Sequence, residues 1–230
     1  MYGTLIKSVR ARQVYTNRGK PGVEVTVVTE SGASGRAMCT AGVSMGTHEV
    51  DFAYDGGRKF GGKGVGKALE SVNNIIAPAI CGMDASSQAE IDEAMLGITP
   101  DAKLKLGGNA TAATSAAVLK AGANALGIPL YRHIGGANAM YLPVPGVAMA
   151  AGDERYGGGI TTPGGKPTMS VMAYGFNTFS DASYACWDIH TRWAEKMKKR
   201  FGGLPNIRDF ISIPAGVYSC DREIWEDMLK

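Results

Sequence analysis

Alternating apolar and polar positions open the chain. Residues 5–15 alternate loosely, and 17–22 (NRGKPG) read as a turn. Residues 23–29 (VEVTVVT) are β-branched at most positions, with Glu24 on one face, and predict a strand. Ser31-Gly32 turns the chain, and 35–40 returns as a third strand. Three strands on short turns predict an antiparallel meander. A glycine-bearing loop follows over 41–49 (AGVSMGTHE), then a second glycine cluster over 55–67 that carries Lys59, Lys63 and Lys67.

The period then lengthens to that of a helix. Residues 66–76 carry apolar side chains at helical spacing, and Pro78 is expected to end the helix. Residues 86–96 place Ala89, Ile91, Ala94, Met95 and Leu96 among acids, as an amphipathic helix does. Residues 109–126 are Ala-rich, suited to close packing, and Gly127 stops them. Residues 128–134 lead into a Gly-Gly break.

At Tyr141 the texture changes. Leu142-Pro143-Val144-Pro145 enters a short buried strand, Gly146–Ala151, and a loop of 15 residues with six glycines follows over 152–166. Residues 168–174 form a second strand. Phe179–Phe201 is a long helix whose basic end (Lys196, Lys198, Lys199, Arg200) suits the helix dipole. A short strand over 210–213 and a helix over 220–229 come last. The pattern predicts two domains, 1–140 and 141–230: an antiparallel sheet with helices, then an α/β segment.

Composition narrows the function classes. A 45% hydrophobic and 20% charged balance excludes wholesale disorder. A formal charge of +3 demands neither nucleic acid nor an anionic membrane as partner. Cys39, Cys81, Cys186 and Cys220 have neither zinc-site nor disulfide-framework spacing and read as free thiols in a reducing compartment. No apolar run reaches about 18 residues and no signal-peptide core opens the chain, so a soluble, cytoplasmic protein is expected. The 32 glycines suggest backbone-lined loops, yet no GxxxxGK[ST] stands between a strand and a helix, which argues against a nucleotide cradle.

Nine short stretches in order resemble the enolase family across about the first 140 residues. They include Ala11-Arg12-Gln13-Val14, Asn17-Arg18-Gly19-Lys20-Pro21, the loop Gly42-Val43-Ser44-Met45-Gly46-Thr47-His48-Glu49, Gly62-Lys63-Gly64-Val65, Val72-Asn73-Asn74-Ile75-Ile76-Ala77-Pro78 and Leu142-Pro143-Val144-Pro145. The resemblance implies an α+β capping domain (a three-stranded antiparallel meander plus helices) followed by an incomplete enolase-type (β/α)8 barrel segment. The implied reaction is dehydration of 2-phosphoglycerate to phosphoenolpyruvate, or of a related small acid. Mg2+ stabilises the ionised carboxylate intermediate while a lysine takes the α-proton.

Site residues follow from the same resemblance, position by position. Ser44 matches the loop serine that closes over substrate and ligates a magnesium ion, and Gly42 and Gly46 would let that loop swing. Two polar positions of the family loop are Ala41 and Met45 here. His48 and Glu49 also match and read as structural. Arg155 stands where the family has its active-site histidine; it can bind phosphate or carboxylate but not shuttle protons. Thr168 falls on the family's second-strand glutamate. Asp209 falls on the acid that exchanges a proton with the leaving hydroxyl.

The family's acidic metal ligands, lysine base and phosphate-binding residues come later than this sequence reaches. Residues 141–230 number 90 against about 250 in a closed barrel. The expectation is a second polypeptide that completes the barrel, with further assembly through the capping domain. The alternative is a catalytically inactive enolase-like interaction or assembly protein, a reading favoured by Ala41, Met45 and Thr168.

Overall fold

A computed structural model describes residues 3–16, 19–42, 47–151, 168–201, 211–212 and 217–230. The chain divides into two compact units, Met1–Ala139 and Met140–Lys230.

In the first unit, strands β1 (Ile6–Tyr15), β2 (Pro21–Thr29) and β3 (Ser34–Thr40) form an antiparallel sheet in the order β1-β2-β3 among the described residues. The register places Arg12 opposite Glu24 and Glu24 opposite Met38. The central strand therefore sends Val23, Val25 and Val27 to one face, where all three are fully buried. Helix α5 (Gly108–Ala125) lies on that face and fills it with Ala110, Ala113, Ala117, Val118 and Ala121. The small side chains let it approach closely. At Gly35 a Cβ would collide with the Ala117 carbonyl and the Ala121 nitrogen, so only glycine permits this contact.

The other helices close the core. Helix α1 (Gly66–Glu70) runs through a wide π-turn (Ser71–Ile76) into α2 (Ala77–Ile80). Pro78 does not end this helix as expected; the chain stays helical to Ile80. Proline cannot donate to the carbonyl one turn back, and the wider turn just before it relieves the ordinary hydrogen-bond ladder. Val72, Ile76 and Ile80 are buried from this run, and Ile91 and Met95 from α3 (Gln88–Gly97). A short helix, α4 (Ala102–Leu106), stands between α3 and α5, and α6 (Leu130–Gly135) follows.

Side chains reach the backbone of both edge strands. Lys120 and Asn124 of α5 donate to the Arg36 and Ser34 carbonyls of β3, at 3.0 and 2.7 Å. On β1 the Asn73 amide meets Ala11. On the sheet's other face Glu24 is only 5% exposed, because Arg12 and Arg36 flank it at 2.6 and 3.7 Å.

In the second unit, β4 (Gly146–Ala151) pairs antiparallel with β5 (Thr168–Met172) and parallel with β6 (Ile211–Ser212), giving the order β5-β4-β6 among the described residues. Helix α7 (Phe179–Phe201) sends Trp193 and Met197 onto Met149, Ala150 and Met169. Helix α8 (Asp221–Met228) adds Ile224 to this cluster. Asp227 of α8 takes Lys196 at 2.8 Å, Arg200 at 2.8 Å and the Tyr218 hydroxyl, which ties α8 to the basic end of α7. Burial opposes the Asp227 charge, but Lys196 and Tyr218 outweigh it and hold its carboxyl below the usual range. No helix among the described residues is long and apolar enough to cross a membrane.

Candidate functional site

The glycine loop is anchored at both ends. It leaves β3 at Thr40, and the chain after it is tied to the start of α5. Asn109, fully buried in the first turn of α5, accepts from the Ala53 amide at 3.0 Å and donates to the Ala53 carbonyl at 3.3 Å. Gly108 donates to the Asp51 carbonyl at 2.9 Å. One buried side chain thus fixes the backbone that carries the loop's exit.

The lysine-bearing glycine cluster is built just as firmly. Asp55 accepts from the amides of Gly66 and Lys67, at 3.0 and 2.8 Å, and so satisfies the first free donors of α1. Those two amides, Lys67 first, hold its carboxyl below the usual carboxylate range. Within the loop Asp55 donates to Gly64 and Gly56 to Gly62. Phe60 adopts a left-handed backbone, φ 54°, and its ring lies 6.0 Å from that of Tyr15.

Between these two loops is a cavity of about 460 Å3. Lys20 and Lys63 line it together with Glu49 and Asp51, and Gly42 and Tyr54 complete the wall at the entry to the glycine loop. Cations and carboxylates in equal number suit a polar, zwitterionic or partly neutralised guest. Next to it, burial and then the Glu49 charge push the Cys39 thiol up, so it stays protonated at neutral pH. Burial, and then Cys39, raise Tyr54 as well.

The sequence of this unit matches the family model for "Enolase, N-terminal domain" over residues 6–134. The chain belongs to the enolase family. It is 40% identical over 206 residues to the enolase of Methanopyrus kandleri, an alignment that covers 89% of this chain and 47% of that relative. The chain thus spans about half the length of the curated enolase it matches. The antiparallel three-stranded sheet with its helices is the enolase capping domain.

Ser44, Arg155 and Asp209, the site residues expected from the enolase resemblance, all lie outside the described residues. Thr168 opens β5 opposite Ala151 of β4. Among the described residues no three His, Cys, Asp or Glu side chains come together. Lys20 and Lys63 escaped sequence reasoning as a pair, because nothing in their spacing brings residue 20 beside residue 63. Asn109 escaped it too; its only signal is an amide among the small residues that open α5.

Proposed function

We propose that this chain supplies the capping domain and first barrel strands of a magnesium-dependent enolase-type lyase. Its substrate would be 2-phosphoglycerate or a related small phosphorylated or carboxylated acid. The observation that carries this reading is the family match across 6–134, which spans the glycine loop and its Ser44. In the second unit β5 runs against β4, and antiparallel first strands are what the enolase resemblance implies for the start of the barrel.

In this reading the loop around Ser44 closes on the substrate and the Ser44 hydroxyl offers a hard oxygen to Mg2+. Arg155 binds a phosphate or carboxylate oxygen of the substrate. Asp209 exchanges the proton of the departing hydroxyl. A second polypeptide completes the barrel and brings the acidic ligands and the lysine base, in the cytoplasm, where four free thiols are at home. Apolar surface on the second unit supports such a companion. Among the described residues Tyr174, Met172, Tyr184 and Trp187 all stand exposed, with the Tyr184 and Trp187 rings stacked at 5.8 Å.

The alternative is an inactive enolase-like assembly protein. Ala41, Met45 and Thr168 favour it, since each puts a less suitable side chain at a position where the family uses a polar or acidic one. Formation of phosphoenolpyruvate from 2-phosphoglycerate, followed by absorbance with the co-purified pair of chains and Mg2+, separates the two. Magnesium-dependent signal that falls in Ser44→Ala supports the lyase. No signal from an assembled pair removes the glycolytic version.

A further inference from the structure

A cleft of about 450 Å3 runs along the outer edge of β1. Residues 7–11 form its strand side, and Asn73, Ala77, Pro78 and Cys81 its helical side. Asn73, Ala77 and Cys81 stand four residues apart along the run from the π-turn to the end of α2. Strand and helical run are fastened at both ends of the cleft. Ile6 exchanges hydrogen bonds with Met83 and Gly82, both at 2.8 Å, and Asn73 pairs with Ala11. Ala77, between them, has no polar side chain to offer.

Val9 is left over. Ala11 turns its N–H and C=O away from β2, toward Asn73. Val9 sits two residues earlier in an unbroken stretch of the register, so its N–H and C=O leave the strand on the same side. Among the described residues no group outside the sheet is bonded to them. A donor and an acceptor thus stand together in the cleft wall, spaced as they are toward the next strand of an antiparallel pair. The charge around them has one sign. Lys7 and Arg10 both line the cleft and are exposed, and neither has an ion-pair partner among the described residues. No carboxylate lines it. A guest that meets this wall gains by bringing one N–H, one acceptor oxygen beside it and one negative charge.

We propose that this cleft binds an amide N–H next to a carboxylate, the group shared by an N-acyl amino acid and the C-terminus of a peptide. The guest's N–H donates to the Val9 carbonyl, and one carboxylate oxygen accepts from the Val9 N–H, the exchange made by an antiparallel pair. The carboxylate charge falls to Lys7 and Arg10. A free amino acid brings an ammonium against the same two cations and is disfavoured. A neutral guest leaves both cations unanswered. The strand from Lys7 to Ala11 spans about 13 Å between the fastened ends, room for a short guest. No group in the enolase-type reaction is needed for this binding, and it does not rest on the lyase reading.

The test is an NMR titration of the full chain near neutral pH, followed at the backbone amides. The probes are N-acetylglycine, N-acetylglycinamide, which lacks the charge, and N-acetylsarcosine, which lacks the N–H. N-acetylglycine should move the Val9 amide and bind about fivefold more tightly than either analogue. The double variant Lys7→Gln, Arg10→Gln, at two exposed positions, should lower N-acetylglycine to the affinity of N-acetylglycinamide while the rest of the spectrum holds. Acetyl-Ala-Ala-Gly separates the two sources. Tighter binding than N-acetylglycine assigns the cleft to a peptide's end, and equal or weaker binding assigns it to the free acyl amino acid. A Val9 amide that stays still at tens of millimolar N-acetylglycine overturns the proposal. So does a preference under about threefold over either analogue, or a double variant that binds N-acetylglycine as the parent does.

Discussion

Asn73 pairs with both backbone groups of Ala11: its Oδ1 takes the Ala11 amide at 2.8 Å and its Nδ2 gives to the Ala11 carbonyl at 3.3 Å. At that one residue the side chain satisfies the backbone as a neighbouring strand would. It can reach because the π-turn at Ser71–Ile76 sets Asn73 beside the sheet edge. Asn73→Ala should cost about 1 kcal/mol, the worth of such a hydrogen-bond pair at an exposed site. Denaturant melting checks the size, and faster hydrogen exchange at the Ala11 amide checks the place.

Asp55 gives a pH prediction with a definite sign. Its folded pKa lies below the ordinary value of about 3.9, held down by the amides of Lys67 and Gly66. The stability it lends is therefore complete above that ordinary value and is lost as pH falls through the lower, folded one. The glycine cluster should stay closed at pH values where exposed carboxylates have already protonated. Asp55→Asn should abolish this step and raise exchange at the Gly66 and Lys67 amides at neutral pH, read by NMR.

Cys39 and Cys81 should separate in thiol chemistry. Cys39 is half-buried, and burial together with Glu49 raises its pKa; Cys81 is exposed. At mildly alkaline pH, iodoacetamide should label Cys81 about tenfold or more faster, since the thiolate is the nucleophile. Mass spectrometry of the time course checks it, and Glu49→Gln should speed the Cys39 reaction.

In the second unit Asp227→Asn should loosen α8 from α7. It removes a carboxylate that answers Lys196, Arg200 and Tyr218 at once. The expected cost is about 1–3 kcal/mol, as for hydrogen bonds to a charged group. Proteolysis near residues 217–230, compared with the parent protein, locates the effect.

The meander was legible because β2 is buried along its length and so is written in β-branched residues, and α5 because its small face must lie close on that sheet. Pro78 misled because proline breaks an ordinary turn, while a wide turn before it is invisible to apolar spacing. The short α4 has too few residues to show a period. The glycine loop was legible only through family likeness, since a Gly-Ser-Gly stretch carries no chemistry of its own. The Lys20 and Lys63 wall, and the cleft along β1, come from residues far apart in the chain that only the folded sheet brings together.

Our proposal has the enolase-type barrel completed by strands from another polypeptide. Native mass spectrometry of the protein drawn from its own source tests this most directly. The account predicts a complex in which this chain stands with a companion large enough to supply the remaining strands. A solitary species at 24.1 kDa, folded and soluble with nothing bound, would contradict it.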